Sequence, residues 1–450
     1  MFKSLISHKI TILFILFLLL QLPLSSVLSL NQERQAYRAE AIAQITTSSS
    51  GPQRLTGPVL VIPYLETTRE YVAEEKQYKE YQTRHQLLLL PETLAIDGKL
   101  QVEPRKLGIY QSQLFHAQLA LQGRFVLNEL ETLNKGNIQL EQPYLAVAIN
   151  DARGILQVPA LHWGQQSIAF EPGARFDGAT QGMHAPLPLE SLGTDQPIAF
   201  NFELALQGTD HFDVVPVGAS STLNLSSNWP HPSFVGHFLP RQHTISDQGF
   251  KAQWESSWFA NNMQERFADG LDEGVNGVPA FTVSLIEPVD HYQQNERAIK
   301  YAELFIGLTF LSFFLFELLK QLRLHPIQYA LVSMAQVIFY LVLLALSEQI
   351  GFSLAYLAAS TACVGLLAFY ASHLLGGLKR GIGFASLLAL LYAILYGLMQ
   401  AEDIALLLGS GLLFVVLALV MVVTRKVDWY QIGLTNKRDL ENSSKNKTID

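Results

Sequence analysis

The sequence predicts a mixed fold: a six-helix transmembrane bundle with a β-rich, antiparallel and sandwich-like periplasmic domain inserted between the first two spans. Three observations lead there. Of 450 residues 49% are apolar, while the 16% that are charged are spread unevenly. Long uncharged runs flank a central region of alternating pattern, and Lys and Arg gather on one side of the short connectors.

Residues 10–30, ITILFILFLLLQLPLSSVLSL, follow Lys9 without a charge. The run is long enough to cross a hydrocarbon core of about 30 Å. It exceeds the roughly 7–15 residues of a signal-peptide core, so residues 1–30 are expected to form an uncleaved anchor. A cleaved signal with a weak small-residue site near Ser29 is the rival reading. Pro23 would bend the span without forbidding it. NQERQAYRAEAIAQI (31–45) sets its charges apart from Ala36, Ala39, Ile42 and Ala43, the pattern of a helical stalk. TSSSGPQRLTGPVLVIPY (47–64) then supplies a hinge followed by a buried-strand run.

Residues 31–297 form the expected periplasmic domain. In TLAIDGKLQV (93–102), alternating apolar positions surround Asp97-Gly98, a pair that favours a hairpin turn. Similar punctuation occurs in YLAVAINDARGILQV (144–158) and HTISDQGFKAQW (243–254), so an antiparallel sandwich is expected rather than a helical domain. LALQG occurs at 119–123 and again at 204–208, consistent with two related β-units or with chance in a Leu- and Ala-rich chain. The acidic DGLDEGVNG (269–277) lacks the alternating oxygen ligands of a helix-loop-helix calcium site and reads as a solvated loop.

NWPHPSFVGHFLPRQH (228–243) places His231, His237 and His243 six positions apart. Six extended residues span roughly 20 Å, whereas zinc gathers its ligands within about 2 Å, so no metal site is expected. The prolines and Gly236 suit an ordered structural loop. A second reading makes it a partner-binding loop displaying Trp229, Phe234 and Phe238.

Five further apolar runs follow, near 300–319, 327–346, 351–372, 381–399 and 404–424, making residues 298–424 a five-span bundle before a polar tail at 425–450. Connectors on one side hold Lys320 and Arg323, then Lys379 and Arg380, and the tail begins Arg425-Lys426. The opposite connectors hold Glu348, then Glu402 and Asp403. Basic residues stay cytoplasmic, which puts both termini inside and the large domain outside the cytoplasmic membrane.

Residues 31–297 carry 18 Lys+Arg against 30 Asp+Glu, whereas the remainder carries 13 against 9. The acidic domain disfavours nucleic acid and anionic lipid head groups; apart from the lipid bilayer itself, cationic or neutral partners are expected. The single cysteine, Cys363, lies in an apolar run, so the exported portion relies on its core rather than on disulfides.

SGPQRLTGPVLVIPY, DARGI (151–155), NWPHPSF, GHFLP, SSWFANN (256–262), RLHPIQY (323–329) and LALSEQIGF (344–352) resemble, in order and spacing, the CreD family of bacterial inner-membrane proteins. The resemblance covers nearly the whole chain. It implies a role in cell-envelope integrity and envelope stress in Gram-negative bacteria, and it brings no catalytic residues.

The residues themselves offer little chemistry. There is no G-x-S-x-G elbow, H-E-x-x-H or P-loop, and no catalytic residue or cofactor is expected. DHFD (210–213) puts carboxylates beside His211, but neighbours on a strand face opposite ways, so separately solvated side chains are expected rather than a dyad. In the bundle, Glu317, His325 and Glu348 are the candidate membrane-edge polar groups. Glu317 is expected to meet Lys320 or Gln321 along its own helix, and His325-Pro326 to mark a tight turn. Gln336 is the strongly polar amide deep in a span. Ala355, Ala358, Ala359, Ala362, Gly365 and Ala368 favour close helix packing over a pore. The expected function is non-enzymatic, contributing to envelope integrity through a periplasmic protein partner. The rivals are a small-molecule or lipid transporter and an enzyme with an unrecognised site.

Overall fold

The computed structural model describes residues 2–72, 77–133, 136–192, 196–268, 274–285, 290–320, 324–374, 376–400 and 405–425. The first part of the acidic 269–277 segment, the connector carrying Glu402 and Asp403, and the tail beyond 425 lie outside them. The chain divides into two compact units, residues 38–288 and residues 1–37 with 289–450.

In chain order the strands are β1 (Gln53–Val72), β2 (Gln77–Leu89), β3 (Thr93–Leu107), β4 (Tyr110–Phe125), β5 (Ile138–Leu140), β6 (Tyr144–Ile149), β7 (Ala160–Trp163), β8 (Gln166–Ala169) and β9 (Glu171–Pro172). They continue with β10 (Gly182–Pro186), β11 (Ile198–Thr209), β12 (His211–Val215), β13 (Ser220–Ser227), β14 (Pro232–Gly236), β15 (Gln242–Ser246), β16 (Gly249–Ser257) and β17 (Phe281–Leu285). The helices are α1 (Phe2–Ser48), α2 (Trp258–Asn261), α3 (Met263–Ala268), α4 (His291–Lys300), α5 (Ala302–Lys320), α6 (Pro326–Ile350), α7 (Phe352–Leu374), α8 (Leu378–Gln400) and α9 (Ala405–Thr424).

The β-rich unit is built from two sheets. One runs β14-β17-β12-β1-β6-β10-β9, with β2 and β5 also on β1; the other runs β15-β16-β13-β3-β4-β11-β7-β8. Both are mixed rather than purely antiparallel, because β1 pairs parallel to β12 and β13 parallel to β3. Alternation explains how each sheet presents an apolar face: along β11 the buried positions recur every second residue. Side chains of both sheets merge into one core, from Leu55 and Val61 to Leu119, Phe202 and Leu225. Aromatic rings span the gap. Phe115 of β4 meets Phe212 of β12 with centroids 5.8 Å apart, and Trp254 of β16 stacks on Phe281 of β17 at 6.2 Å.

The hairpin expected at Asp97-Gly98 is not there. β3 runs straight through the pair and turns back only after Leu107, which faces Tyr110. Gly98 serves close packing instead: a Cβ there would lie 2.7 Å from Leu225 Cδ1 and 2.9 Å from Leu119 Cδ2, side chains of the two flanking strands. The stretch 144–158 is likewise no hairpin. After β6 the chain makes a short 3₁₀ turn at Ala152–Gly154, and β6 pairs with β1 and β10. The third expected hairpin does form, as β15 and β16 pair across Asp247-Gln248. The two LALQG segments face one another on neighbouring antiparallel strands, Leu119 opposite Leu204.

In the other unit, α1, α6, α7 and α8 each contain a stretch long and apolar enough to cross a membrane. The pair α4 and α5 is bent by 42° and would count as a fifth if taken as one span. Residues 407–422 of α9 form a shorter apolar helix, so among the described residues four or five helices, not the expected six, are long and apolar enough to cross a membrane. One apolar cluster unites Leu20, Leu24 and Val27 of α1 with Phe305, Phe313, Leu343, Phe384 and Leu395 of the later helices.

Because Gly98 lies inside a strand, Gly98→Val should destabilise the β-rich unit by about 1–3 kcal/mol through overpacking. Asp97→Asn, on the exposed face, should be nearly neutral. Denaturant titration of intrinsic Trp fluorescence would measure both; equal effects would return the pair to a turn.

Candidate functional site

The aromatic segment at 228–243 contains a strand. Residues 232–236 form β14, which pairs with β17, Phe234 opposite Val283. Pairing to an interior strand turns the rings inward. Phe234 packs edge-on against Phe250 at 5.7 Å and Trp254 at 5.5 Å, and Phe238 against Phe281 at 5.6 Å. Trp229 donates its indole N–H to the His231 carbonyl at 3.0 Å and is also partly buried on the core. Phe234 therefore pins one sheet to the other, while Phe238 packs on β17 and Trp229 turns back on its own loop, and all three rings are half-buried. His231 lies against Trp229 and His243 against Phe234.

Outward-facing aromatic pairs lie elsewhere, Tyr71 with Tyr78 at 5.3 Å and a second in SSWFANN. Trp258 and Phe259 of α2 stack at 6.2 Å, with Phe259 99% exposed and Trp258 54% exposed. Adjacent residues on a helix point about 100° apart, and on this single turn both rings face outward.

SGPQRL and DARGI, distant in sequence, meet at the end of α1. The Asp151 carboxylate accepts from Gly51 N at 2.9 Å and from Arg153 Nε and Nη2 at 2.9 and 2.6 Å. Arg153 in turn donates through Nη1 to the Thr47 carbonyl at 2.7 Å, capping a carbonyl in the last turn of α1. Gln53 Nε2 donates to the carbonyls of Asp151 at 3.0 Å and Gln207 at 2.8 Å. A Cβ on Gly154 would fall 2.2 Å from Gln53 Nε2 and 2.3 Å from the Gln207 carbonyl, so the junction closes only around glycine. The Arg153 guanidinium and the backbone N–H groups of Gly51 and Arg153 hold the Asp151 carboxyl down at about 2, against the opposing effect of burial.

Asp210 and His211 do come together, contrary to the strand argument. Asp210 sits between β11 and β12, where the chain leaves one sheet for the other, and its φ of 68° breaks the alternation. His211 Nδ1 then lies 2.9 Å from Asp210 Oδ2. The carboxylate raises the imidazole above its ordinary value, against desolvation. Nearby, Arg54 reaches Asp213 Oδ2 at 3.2 Å and donates to the carbonyls of Val275 and Val278.

In the helical unit the edge glutamates have long-range partners. Glu317 pairs with Lys9 of α1 and accepts from the Tyr329 hydroxyl at 2.9 Å, while Lys9 also donates to the Leu324 carbonyl at 2.7 Å. The expected contacts along its own helix involve the side chains of Lys320 and Gln321, which lie outside the described residues. Glu348 lies 3.3 Å from Arg34 Nε and accepts from the Tyr292 hydroxyl at 3.0 Å. Each glutamate therefore joins α1 to the other helices, one near each end of its apolar run. His325 is the N-cap of α6: its Nδ1 accepts from Ile327 N at 3.3 Å, and its own N–H donates to Gln328 Oε1 at 2.9 Å. Gln336 donates to Thr309 at 2.7 Å, and Cys363 packs beside the Tyr392 hydroxyl at 3.3 Å.

Comparison with known proteins decides the family. The sequence pattern described as "Inner membrane protein CreD" matches residues 5–430. The chain belongs to the CreD family. The protein named inner membrane protein CreD in Escherichia coli (strain K12) is 43% identical over 450 residues, covering 100% of this chain and 98% of that one. The chain is accordingly a multi-pass inner-membrane protein. Among solved structures, the M1 zinc metallopeptidase of Deinococcus radiodurans aligns with 44% of this chain and 42% of its own at a TM-score of 0.20 and 10% identity. A two-domain M1 zinc metallopeptidase mutant bound to L-tryptophan gives 0.19 and 11%, with 44% of each chain covered. Neither alignment carries an argument about this chain.

Lys9→Gln and Glu317→Gln should each destabilise the detergent-solubilised protein by roughly 1–3 kcal/mol, between the exposed and buried limits for ion pairs. The double variant should cost little more than either alone; full additivity in thermal unfolding would show that the pair is not coupled.

Asp151 should act in acid. Its folded-state pKa is depressed, so its stabilisation is complete above the ordinary 3.8 and disappears as pH falls through about 2. The Tm gap between the wild type and Asp151→Asn should be constant above pH 5 and shrink below pH 4. A gap that widens toward acid would contradict the junction.

Proposed function

We propose that this CreD-family protein contributes to cell-envelope integrity by binding a periplasmic protein partner through its β-rich unit, without catalysing a reaction. The observation that carries the reading is the Trp258–Phe259 pair, in which Phe259, 99% exposed, is the most exposed large apolar side chain among the described residues. Aromatic side chains of this kind dominate interface energies where they occur. The unit is acidic, which favours a neutral or cationic partner.

The same reading takes six spans, with α4–α5 as one and α9 as the last, so that both termini are cytoplasmic and residues 38–288 periplasmic. Its support is the distribution of basic residues: Lys379, Arg380 and Arg425 lie on one side, with Glu348 on the other.

Two measurements test the proposal. With Cys363→Ala as background, Tyr78→Cys and Ser167→Cys should react in whole cells with an impermeant thiol reagent that crosses the outer membrane, while Lys379→Cys should react only after lysis; the reverse pattern would sink the orientation. A photo-crosslinking residue at 259 should capture a defined protein. Trp258→Ser with Phe259→Ser should remove envelope protection of null cells at matched protein level, as read by detergent sensitivity. Full protection by that double variant would end the partner-binding reading.

A further inference from the structure

Where Arg34 meets Glu348, α1 and α6 leave a cleft of about 290 Å³. Leu30, Arg34 and Tyr37 fall on one face of α1, and Leu341, Leu344, Ala345 and Glu348 on one face of α6. Since Arg34 pairs with Glu348, the turn before it on each helix brings Leu30 into the cleft with Leu341, Leu344 and Ala345. The wall is therefore apolar at one end. One helical turn further along both helices it becomes polar, with Glu33, Arg34, Tyr37 and Glu348. This gradient runs along the helix axes, as the gradient from chain to head group runs along a lipid.

We propose that the cleft binds an amine-bearing phospholipid, with its ammonium on Glu33, its phosphate on Arg34 and the start of an acyl chain on the apolar wall. Charge complementarity selects this ligand. Two carboxylates flank one guanidinium, so a purely anionic head group meets net repulsion, whereas a zwitterion satisfies both signs. Glu33 is held in place by the Tyr37 hydroxyl at 3.0 Å. A guanidinium has five N–H donors, so the contact of Arg34 Nε with Glu348 is compatible with a phosphate contact. The volume suits a head group with its first methylenes and is too small for a partner helix.

Native mass spectrometry of the full-length protein, titrated with single phospholipids, tests this. Phosphatidylethanolamine should be retained at least fivefold better than phosphatidylglycerol, and better than phosphatidylcholine, whose quaternary nitrogen has no N–H to donate to Glu33. Glu33→Gln, an exposed change that keeps a partner for Tyr37, should erase the advantage over phosphatidylcholine. Leu30→Trp should reduce retention of phosphatidylethanolamine by filling the cleft. Equal or tighter binding of phosphatidylglycerol, or an unchanged preference in Glu33→Gln, would overturn the proposal. In the wild type, soluble glycerophosphoethanolamine should compete at least tenfold more weakly than the intact lipid. Competition at equal strength would show that the apolar wall takes no part and would overturn the lipid assignment.

Discussion

The helical unit depends on how α1 is held at the two ends of its apolar run. A helix whose side chains are nearly all apolar gains no hydrophobic drive toward its neighbours once lipid surrounds it, so packing and polar contacts must fix its place. Lys9 and Arg34 supply the polar contacts. They are separated by about 37 Å at 1.5 Å per residue, which matches a hydrocarbon core of about 30 Å with its margins. Their partners, Glu317 and Glu348, come from α5 and α6, so the register of α1 against both is set electrostatically while Leu20, Leu24 and Val27 fill the space between. Partial burial strengthens each pair relative to one in open water, and the Tyr329 and Tyr292 hydroxyls take up further carboxylate valence.

The β-rich unit solves a different problem, that of joining two large sheets without a disulfide. Long strands such as β3, β4 and β11 supply extended apolar faces, and the rings of Phe115, Phe212, Trp254, Phe281 and Phe234 bridge the faces. Chain crossings from sheet to sheet need local departures from extended geometry. Asp210 provides one, and the short side chain that tolerates positive φ also places a carboxylate where the next residue's imidazole can reach it.

Much of this was legible in the sequence. Apolar runs of span length mark membrane helices because no other environment tolerates them, and period-two alternation marks strands facing a shared core. The β15–β16 hairpin was readable for the same local reasons. What was not readable depends on partners distant in the chain. Asp97-Gly98 carries the local signature of a turn, but the need for space beside Leu119 and Leu225 overrides it. Glu317 has a cation three residues away in sequence, whereas Lys9, which holds it, is 308 positions off. Trp229, Phe234 and Phe238 looked like a displayed surface because nothing in the segment shows that β17 pairs with it. The LALQG echo, read as two possible units, instead brackets a single strand pair.

Gly154 has a consequence for how such chains can diverge. Its hydrogen atom sits where any side chain would strike Gln53 and the Gln207 carbonyl, and Gln53 in turn joins Asp151 to Gln207. Substitutions at 53, 151, 153 and 154 are therefore not independent events. A lineage that enlarges residue 154 must also shorten residue 53, which strands the carbonyls it served, and then find another partner for the end of α1. Each single step along such a path breaks contacts that the others depend on, so the three separated stretches are physically coupled and act as one unit.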